Sequence, residues 1–392
     1  MSKTQNSLRN TKTSVRTMPV VEVKVVTWNK ESHGLFDYEN NYYDMKKFSI
    51  LNSVVINRKR GDIQVNEKDK MQTEVDDEVI PEYLLSISKN NRSNEEYCIE
   101  VPGDFPNGYT APKPTYLIVR SLKCKDGRSQ RGFSLTPTDI IKLGRMEYRV
   151  TEIQTGHDQT TVKKIENYSM LPSDNLFDAD GQVEVETDHE KLCKYCLLED
   201  VSDDPLENKM LYPCDCSGSS AGVHFICLKN WIQYKILAKN NHNVATYQWK
   251  KLECEICLRP FPRKVKFEQK VSELINVERP PCPYIILEKL NQDQKSYTYV
   301  LIIPDENEVV KIGRGHQCDM RVSDISVSRI HAHIKFTDNK FLIFDNDSKF
   351  GTLILLNENY KIKYDKAAVQ VGRTVFTFVM KNQQIESRPE GK

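Results

Sequence analysis

The chain has 392 residues, with 56 basic and 55 acidic side chains and a formal net charge of +1. That balance gives no electrostatic reason to expect a nucleic acid or an anionic membrane surface as partner, and no apolar run approaches the ~20 residues needed to cross a bilayer. The polar N-terminus has no apolar segment of the kind a secretory signal needs, so the thiols are expected in a reducing compartment, cytoplasm or nucleus, in a soluble protein.

Residues 1–18 are basic, rich in Ser and Thr and without periodicity, and are expected to be disordered. From Val20 the pattern changes to short alternating runs: Val21, Val23 and Val25, then Phe48–Leu51, Val54–Ile56, Tyr83–Ile87 and Tyr116–Val119, separated by polar turn clusters. Such spacing predicts a β-sandwich over 20–155. Residues 156–188 are polar and become acidic at Asp178, Asp180, Glu184, Glu186 and Asp188, and read as a linker. A cysteine-rich segment follows at 189–265. After the Pro280, Pro281 and Pro283 break, a second strand-rich block runs from 284 to 382, and 383–392 is a polar tail.

The two strand-rich blocks read as copies of each other. Ile312-Gly313-Arg314 with Asp319–Val322 matches Ile56-Asn57-Arg58 with Asp62–Val65. Phe341–Phe344 matches Tyr116–Val119, and Val371-Gly372-Arg373 matches Leu143-Gly144-Arg145.

Of eleven cysteines, seven fall within 193–257. With His224 they form four pairs: Cys193 and Cys196, Cys214 and Cys216, His224 and Cys227, Cys254 and Cys257. Zinc in a structural site takes four thiolate or imidazole ligands, so eight such donors fill two Zn²⁺ sites. Residues three apart, as His224 and Cys227 are, share a face if a helix begins there, and Leu228, Trp231, Ile232 and Ile236 continue the pattern, which predicts an amphipathic helix over about 225–238. Cys98, Cys124, Cys282 and Cys318 fall outside the pattern and read as buried or incidental.

Pro213–Ser219, Val223–Ile232 and Cys254–Cys257 resemble the RING-CH (RING-variant) family of ubiquitin ligases. A PHD finger also uses histidine as its fifth ligand, but it carries Trp two residues before the seventh, where this chain has Leu252. The resemblance implies a small α+β domain with cross-braced ligands: Cys193, Cys196, His224 and Cys227 on one zinc, Cys214, Cys216, Cys254 and Cys257 on the other. It implies no catalytic nucleophile. Activity would come from holding a charged ubiquitin-conjugating enzyme beside a substrate, through contacts at Tyr195, Trp231 and Pro260. Two positions depart from the family: Tyr195 stands where an aliphatic residue is usual, and Leu258 where many RINGs place a cation, with Arg259 next.

In the C-terminal block, Gly313-Arg314, Val327–Ala332 and Asp345–Thr352 resemble the loops of a forkhead-associated (FHA) domain, a β-sandwich that binds phosphothreonine. A guanidinium fork suits a phosphate's acceptors. The resemblance makes Arg314 the phosphate anchor, with Ser328, Arg329, Ser348 and Lys349 as further phosphopeptide-binding residues and His331 and Gly351 as structural ones. Phe350 replaces the family's asparagine beside the phosphothreonine. By the internal match, the N-terminal block is a diverged FHA-like sandwich, with Arg58 in the place of Arg314 and Pro81 and Leu84 near those of Ser328 and His331. An unrelated β-domain is the alternative.

The expected fold is therefore mainly β: an N-terminal sandwich, a central cross-braced two-zinc domain and a C-terminal FHA sandwich. The expected function is a ubiquitin ligase that selects phosphothreonine-bearing proteins. A non-enzymatic phosphopeptide-binding scaffold is the second reading.

Overall fold

A computed structural model describes residues 16–28, 34–68, 79–90, 96–101, 108–122, 130–156, 176–179, 181, 192–267, 270–275, 277–281, 283–290, 296–304, 308–362 and 367–385. Cys124 and Cys282, most of the 156–188 stretch and the first fifteen residues lie outside them. The described chain is dominated by strands. It divides into two compact units, one of residues 1–133 with 347–392, the other of residues 134–346.

In the first unit one sheet runs in the order Thr352–Leu355, Thr115–Ile118, Ala367–Val371, Thr374–Ile385, Arg16–Trp28, Tyr43–Ile50. The other runs Tyr360–Ile362, Glu96–Glu100, Glu82–Asn90, Val54–Lys59, Asp62–Glu67. The period-2 alternation of Val21, Val23 and Val25 puts these side chains in the core, each at most 1% exposed. The first strand starts at Arg16, inside the segment expected to be disordered, and the last ends at Ile385, inside the expected tail. The cause is mutual: Arg16 pairs with Ile385 and Thr27 with Thr374 along one antiparallel ladder. Arg58 links the sheets. It is buried, forms a 2.6 Å ion pair with Glu82 and donates to the hydroxyls of Thr27 and Thr374. Lys113 also binds Glu82, at 2.6 Å. The guanidinium that the internal match set beside Arg314 is thus already occupied by a carboxylate.

In the second unit one sheet has the order Leu237–Asn240, Val244–Lys250, Ser296–Ile302, Tyr284–Leu290, Met146–Gln154, Ile140–Leu143. A second sheet carries Met320–Arg321, Val309–Gly313, Ala332–Thr337 and Lys340–Asp345, with the Leu135 N–H donating to Phe341 O on its far edge.

The units do not follow the two strand-rich blocks. The hairpin Ile140–Leu143/Met146–Gln154, from the N-terminal block, pairs with Tyr284–Leu290 of the C-terminal block. The hairpin Ala367–Val371/Thr374–Ile385, from the C-terminal block, pairs with Arg16–Trp28 of the N-terminal block. These are the two hairpins whose Gly-Arg turns match in sequence. Gly144 and Gly372 take φ of +59° and +53°, as the first residue of a two-residue type II′ turn requires. The match of Phe341–Phe344 with Tyr116–Val119 has no structural counterpart. Phe341 lies in a strand paired with Ala332–Thr337, whereas Thr115–Ile118 lies between Thr352–Leu355 and Ala367–Val371.

The cysteine-rich segment is an insertion in the second sandwich. It leaves after Gln154 and returns at Tyr284, and these two residues are paired neighbours. It also shares a core with that sandwich. Phe225, Leu228, Ile232, Tyr247, Trp249, Val265 and Phe267 join Tyr284, Ile286 and Leu301 in one apolar cluster. Glu288, 4% exposed, lies 3.6 Å from Arg149 and 3.7 Å from Arg263, an ionic tie between insert and sandwich. Within the expected linker, Leu176–Asp178 forms a strand, parallel to Lys264–Lys266.

Candidate functional site

The helix spans Phe225–Tyr234 and buries Phe225, Leu228 and Ile232 at i, i+3 and i+7. It is shorter than the expected 225–238. Leu237–Asn240 turns instead into an edge strand on Val244–Lys250, so tertiary pairing overrides the helical pattern there. His224 is the helix N-cap residue, yet its ring makes no capping bond. The ring is used elsewhere.

Cys193, Cys196, His224 and Cys227 gather their donor atoms within 4.8 Å of one another, and so do Cys214, Cys216, Cys254 and Cys257. A tetrahedral zinc with bonds of 2.0–2.3 Å spaces its ligand atoms about 3.8 Å (S to S) or about 3.6 Å (N to S) apart. Here Cys216 Sγ lies 3.6 Å from Cys254 Sγ, and His224 Nδ1 lies 3.4 Å from Cys196 Sγ and 3.8 Å from Cys227 Sγ. The ring's Nε2–H donates a hydrogen bond to the Glu199 carbonyl at 2.7 Å. Nδ1 is thereby left as the lone-pair donor. Both clusters fit zinc in donor type, number and spacing, in the cross-braced pairing.

The two Cys-x-x-Cys turns are built alike. Leu197 N–H donates to Cys193 O at 2.8 Å and Leu258 N–H to Cys254 O at 3.0 Å; Leu197 and Leu258 both have φ of +60°. A leucine in the left-handed region costs ~1 kcal/mol or more, a local strain that the clamp around an ion offsets. Backbone N–H groups converge on Cys254 in one cluster and on Cys193 in the other. Burial pushes the Cys254 thiol up, but the N–H groups of Cys257 and Ile256 outweigh it and bring it down to about 6. Cys193 is lowered in the same way. Cys216 and Cys227 are pushed up to about 12, by burial first and then by their neighbouring sulfurs. Thiols so crowded oppose each other's ionisation until a cation arrives, the behaviour of a metal site.

Of the expected conjugating-enzyme contacts, Tyr195 and Trp231 are brought together, their rings stacked at 5.8 Å and 10°. Trp231 also meets Phe261 edge-on at 5.5 Å and lies under the Lys235 ammonium at 4.9 Å. Phe261 was not singled out from sequence; a lone aromatic beyond the last ligand gives no periodic signal. Pro260 is exposed. Arg259 is held by Asp215. The Tyr195 hydroxyl is pushed up, by burial first and then by Glu255 and the cluster cysteines, and stays neutral.

In the other sheet of this unit the loop after Val309–Gly313 lies against the segment before Ala332–Thr337. Arg314 N–H donates to Ser328 O at 3.0 Å and Gly315 N–H to Arg329 O at 2.9 Å. A Cβ on Gly313 would stand 2.3 Å from Arg329 O, so only glycine allows this approach. His331 is fully buried, and its Nδ1 accepts the Ser328 N–H at 3.0 Å. The Cys318 thiol donates to Arg329 O at 3.1 Å. The backbones of Arg314, Ser328 and Arg329 are thus held in one frame, and the Arg314 and Arg329 side chains are exposed.

Ser348, Lys349, Phe350 and Gly351 belong to the first unit. Ser348 is buried, and Arg120 donates to its carbonyl. Lys349 pairs with Asp37 at 3.3 Å. Phe350 packs against the cluster of Val26, Trp28, Phe36, Tyr116 and Leu353, which accounts for an aromatic residue in the family's asparagine position. Gly351 has φ of +76° and abuts the Tyr38 ring.

Family models match at two places. Residues 193–257 match the RING-variant domain, and 310–375 match the FHA domain. The chain carries a RING-variant domain and an FHA domain. The FHA match runs across residue 346, from one compact unit into the other. A 93-residue stretch, 24% of this chain, is 32% identical to a protein of Arabidopsis thaliana described as "Probable E3 ubiquitin ligase SUD1". The match covers 7% of that relative's length. Among the described residues, no helix is long and apolar enough to cross a membrane.

Proposed function

We propose that this chain is a RING-variant ubiquitin ligase that recognises phosphothreonine-bearing proteins through its FHA domain, in the cytoplasm or nucleus. The observation that carries the reading is the pair of cross-braced zinc clusters with the Tyr195–Trp231–Phe261 aromatic group beside them. A ubiquitin-conjugating enzyme is the partner that such a module would take, with Tyr195, Trp231 and Pro260 as its contacts. The chemistry belongs to the partner. A substrate lysine amine attacks the ubiquitin thioester, an amide bond forms, the carbon–sulfur bond breaks, and the enzyme's thiol is released. The RING-variant domain contributes position. Arg314, Ser328 and Arg329 would hold the phosphate. The zinc ions supply structure and no chemical step.

The test is discharge of a ubiquitin-charged conjugating enzyme onto free lysine by the full chain. Wild type should accelerate discharge, Trp231→Ala should abolish the acceleration with both zincs retained, and Arg314→Ala should leave it intact while weakening phosphothreonine-peptide binding tenfold or more. No acceleration with any conjugating enzyme of a broad panel would overturn the ligase reading.

One observation favours a second reading. Trp231 is engaged at once by Tyr195, Phe261 and Lys235, as suits a structural zinc module in a phosphopeptide-binding scaffold. Phosphopeptide binding with no discharge activity would select it.

A further inference from the structure

We propose that Lys194 is an outer-sphere cation of the four-cysteine zinc site, reaching it from between two ligands of the other site. The inference rests on the two-zinc reading of the clusters.

Lys194 lies between Cys193 and Cys196, and its backbone N–H donates to Gly222 O at 3.0 Å. Its side chain turns away from that site. The ammonium stands 3.5 Å from Cys214 Sγ and 3.7 Å from Cys254 Sγ, both ligands of the four-cysteine cluster. The rings of Tyr195 and Phe261 flank it, with centroids at 5.5 and 5.6 Å. Among the described residues no carboxylate shares it.

The charges explain the placement. Four thiolates around Zn²⁺ leave two net negative charges, whereas three thiolates and an imidazole leave one. The site with the larger excess receives the ammonium. Hydrogen bonds from N⁺–H to coordinated sulfur draw off charge and oppose the protonation that opens a zinc–thiolate site. The two rings hold the ammonium over the sulfurs and limit its access to water. The Cys193–Cys196 turn positions Lys194, so an ion in the first site orders the cation of the second. By linkage the second ion must favour the first to the same degree.

The test uses the full chain with Lys194→Met and Lys194→Arg. Zinc content is read by native mass spectrometry and release by a chromogenic chelator. Co²⁺ substitution identifies the sites, because S₄ and S₃N donor sets give different absorption bands. Lys194→Met should release the S₄ ion at least about tenfold faster than wild type and the S₃N ion less affected, while Lys194→Arg restores slow release. Unchanged release from both sites would overturn the proposal, as would equal acceleration of both with changed tryptophan emission, the mark of general unfolding. Wild-type protein with no bound zinc would overturn the metal reading itself, a separate result from a Lys194 effect that fails to appear.

Discussion

Gln154 and Tyr284 face each other across one antiparallel ladder, although the whole zinc segment lies between them in the chain. The RING-variant domain is therefore set into the second sandwich at one point of its sheet. It is further fixed by the ladder from Val244↔Ile302 to Lys250↔Ser296. A fragment of residues 185–265 lacks the second strand of that ladder and leaves Tyr247 and Trp249, 8% and 3% exposed in the full chain, open to water. Such a fragment should bind two zincs yet show red-shifted tryptophan emission and a lower melting temperature than residues 134–346. Equal emission maxima would mean that the shared core is dispensable.

Zinc removal should act on one unit. Structural zinc contributes on the order of 10 kcal/mol per ion to folding. Chelation should speed amide exchange throughout Phe225–Tyr234 and Val244–Lys250, while Arg16–Trp28, laddered to Thr374–Ile385, stays protected. Hydrogen exchange read by mass spectrometry separates the two; loss of protection in both would refute the unit-specific effect.

Glu82 gives a pH dependence with a defined sign. Burial pushes its carboxyl up, but the Lys113 hydrogen bond and the charges of Arg58 and Lys113 hold it below its ordinary 4.5. The folded state thus favours the ionised form, and this stabilisation is full above 4.5 and is lost as pH falls towards the lowered value. Glu82→Gln should cost about 2–3 kcal/mol near neutral pH, because it leaves the buried Arg58 unpaired. The gap between wild type and variant in urea midpoints should narrow only below about pH 4.5. A gap that widens on acidification would contradict the assignment.

Phe350→Asn restores the residue usual in FHA domains, and the structure predicts that it harms this chain. The half-buried ring packs on Trp28, Phe36 and Leu353. Its loss should cost about 2 kcal/mol, below the ~3–5 of a fully buried phenylalanine. An unchanged urea midpoint would show that the ring carries no packing energy.

The sequence made the zinc ligands legible because coordination dictates donor type and spacing, and nothing else places seven cysteines and a histidine so. The two exchanged hairpins were visible as a repeated Gly-Arg turn, since only glycine suits the first position of that turn. Their partners were not. Alternation along Val21, Val23 and Val25 states which face is buried and is silent on which strand lies alongside, so the exchange between blocks could not be read. The same silence let Phe341 be matched with Tyr116. The strand Leu176–Asp178 was hidden in an acidic run, because its pairing comes from Lys264–Lys266 far along the chain. The internal match set Arg58 in the place of Arg314, but neither its burial nor its partner Glu82 gave a signal until the strands were assembled.

The exchange of hairpins also sets a timetable for biosynthesis. Thr27 leaves the ribosome 347 residues before its ladder partner Thr374. Translation at about 5–20 residues per second keeps the valine-rich early strand waiting for tens of seconds with an unpaired edge. The second unit, complete at residue 346, can close first. A nascent chain is thus expected to need a holding chaperone on Arg16–Trp28 until Thr374–Ile385 has been made.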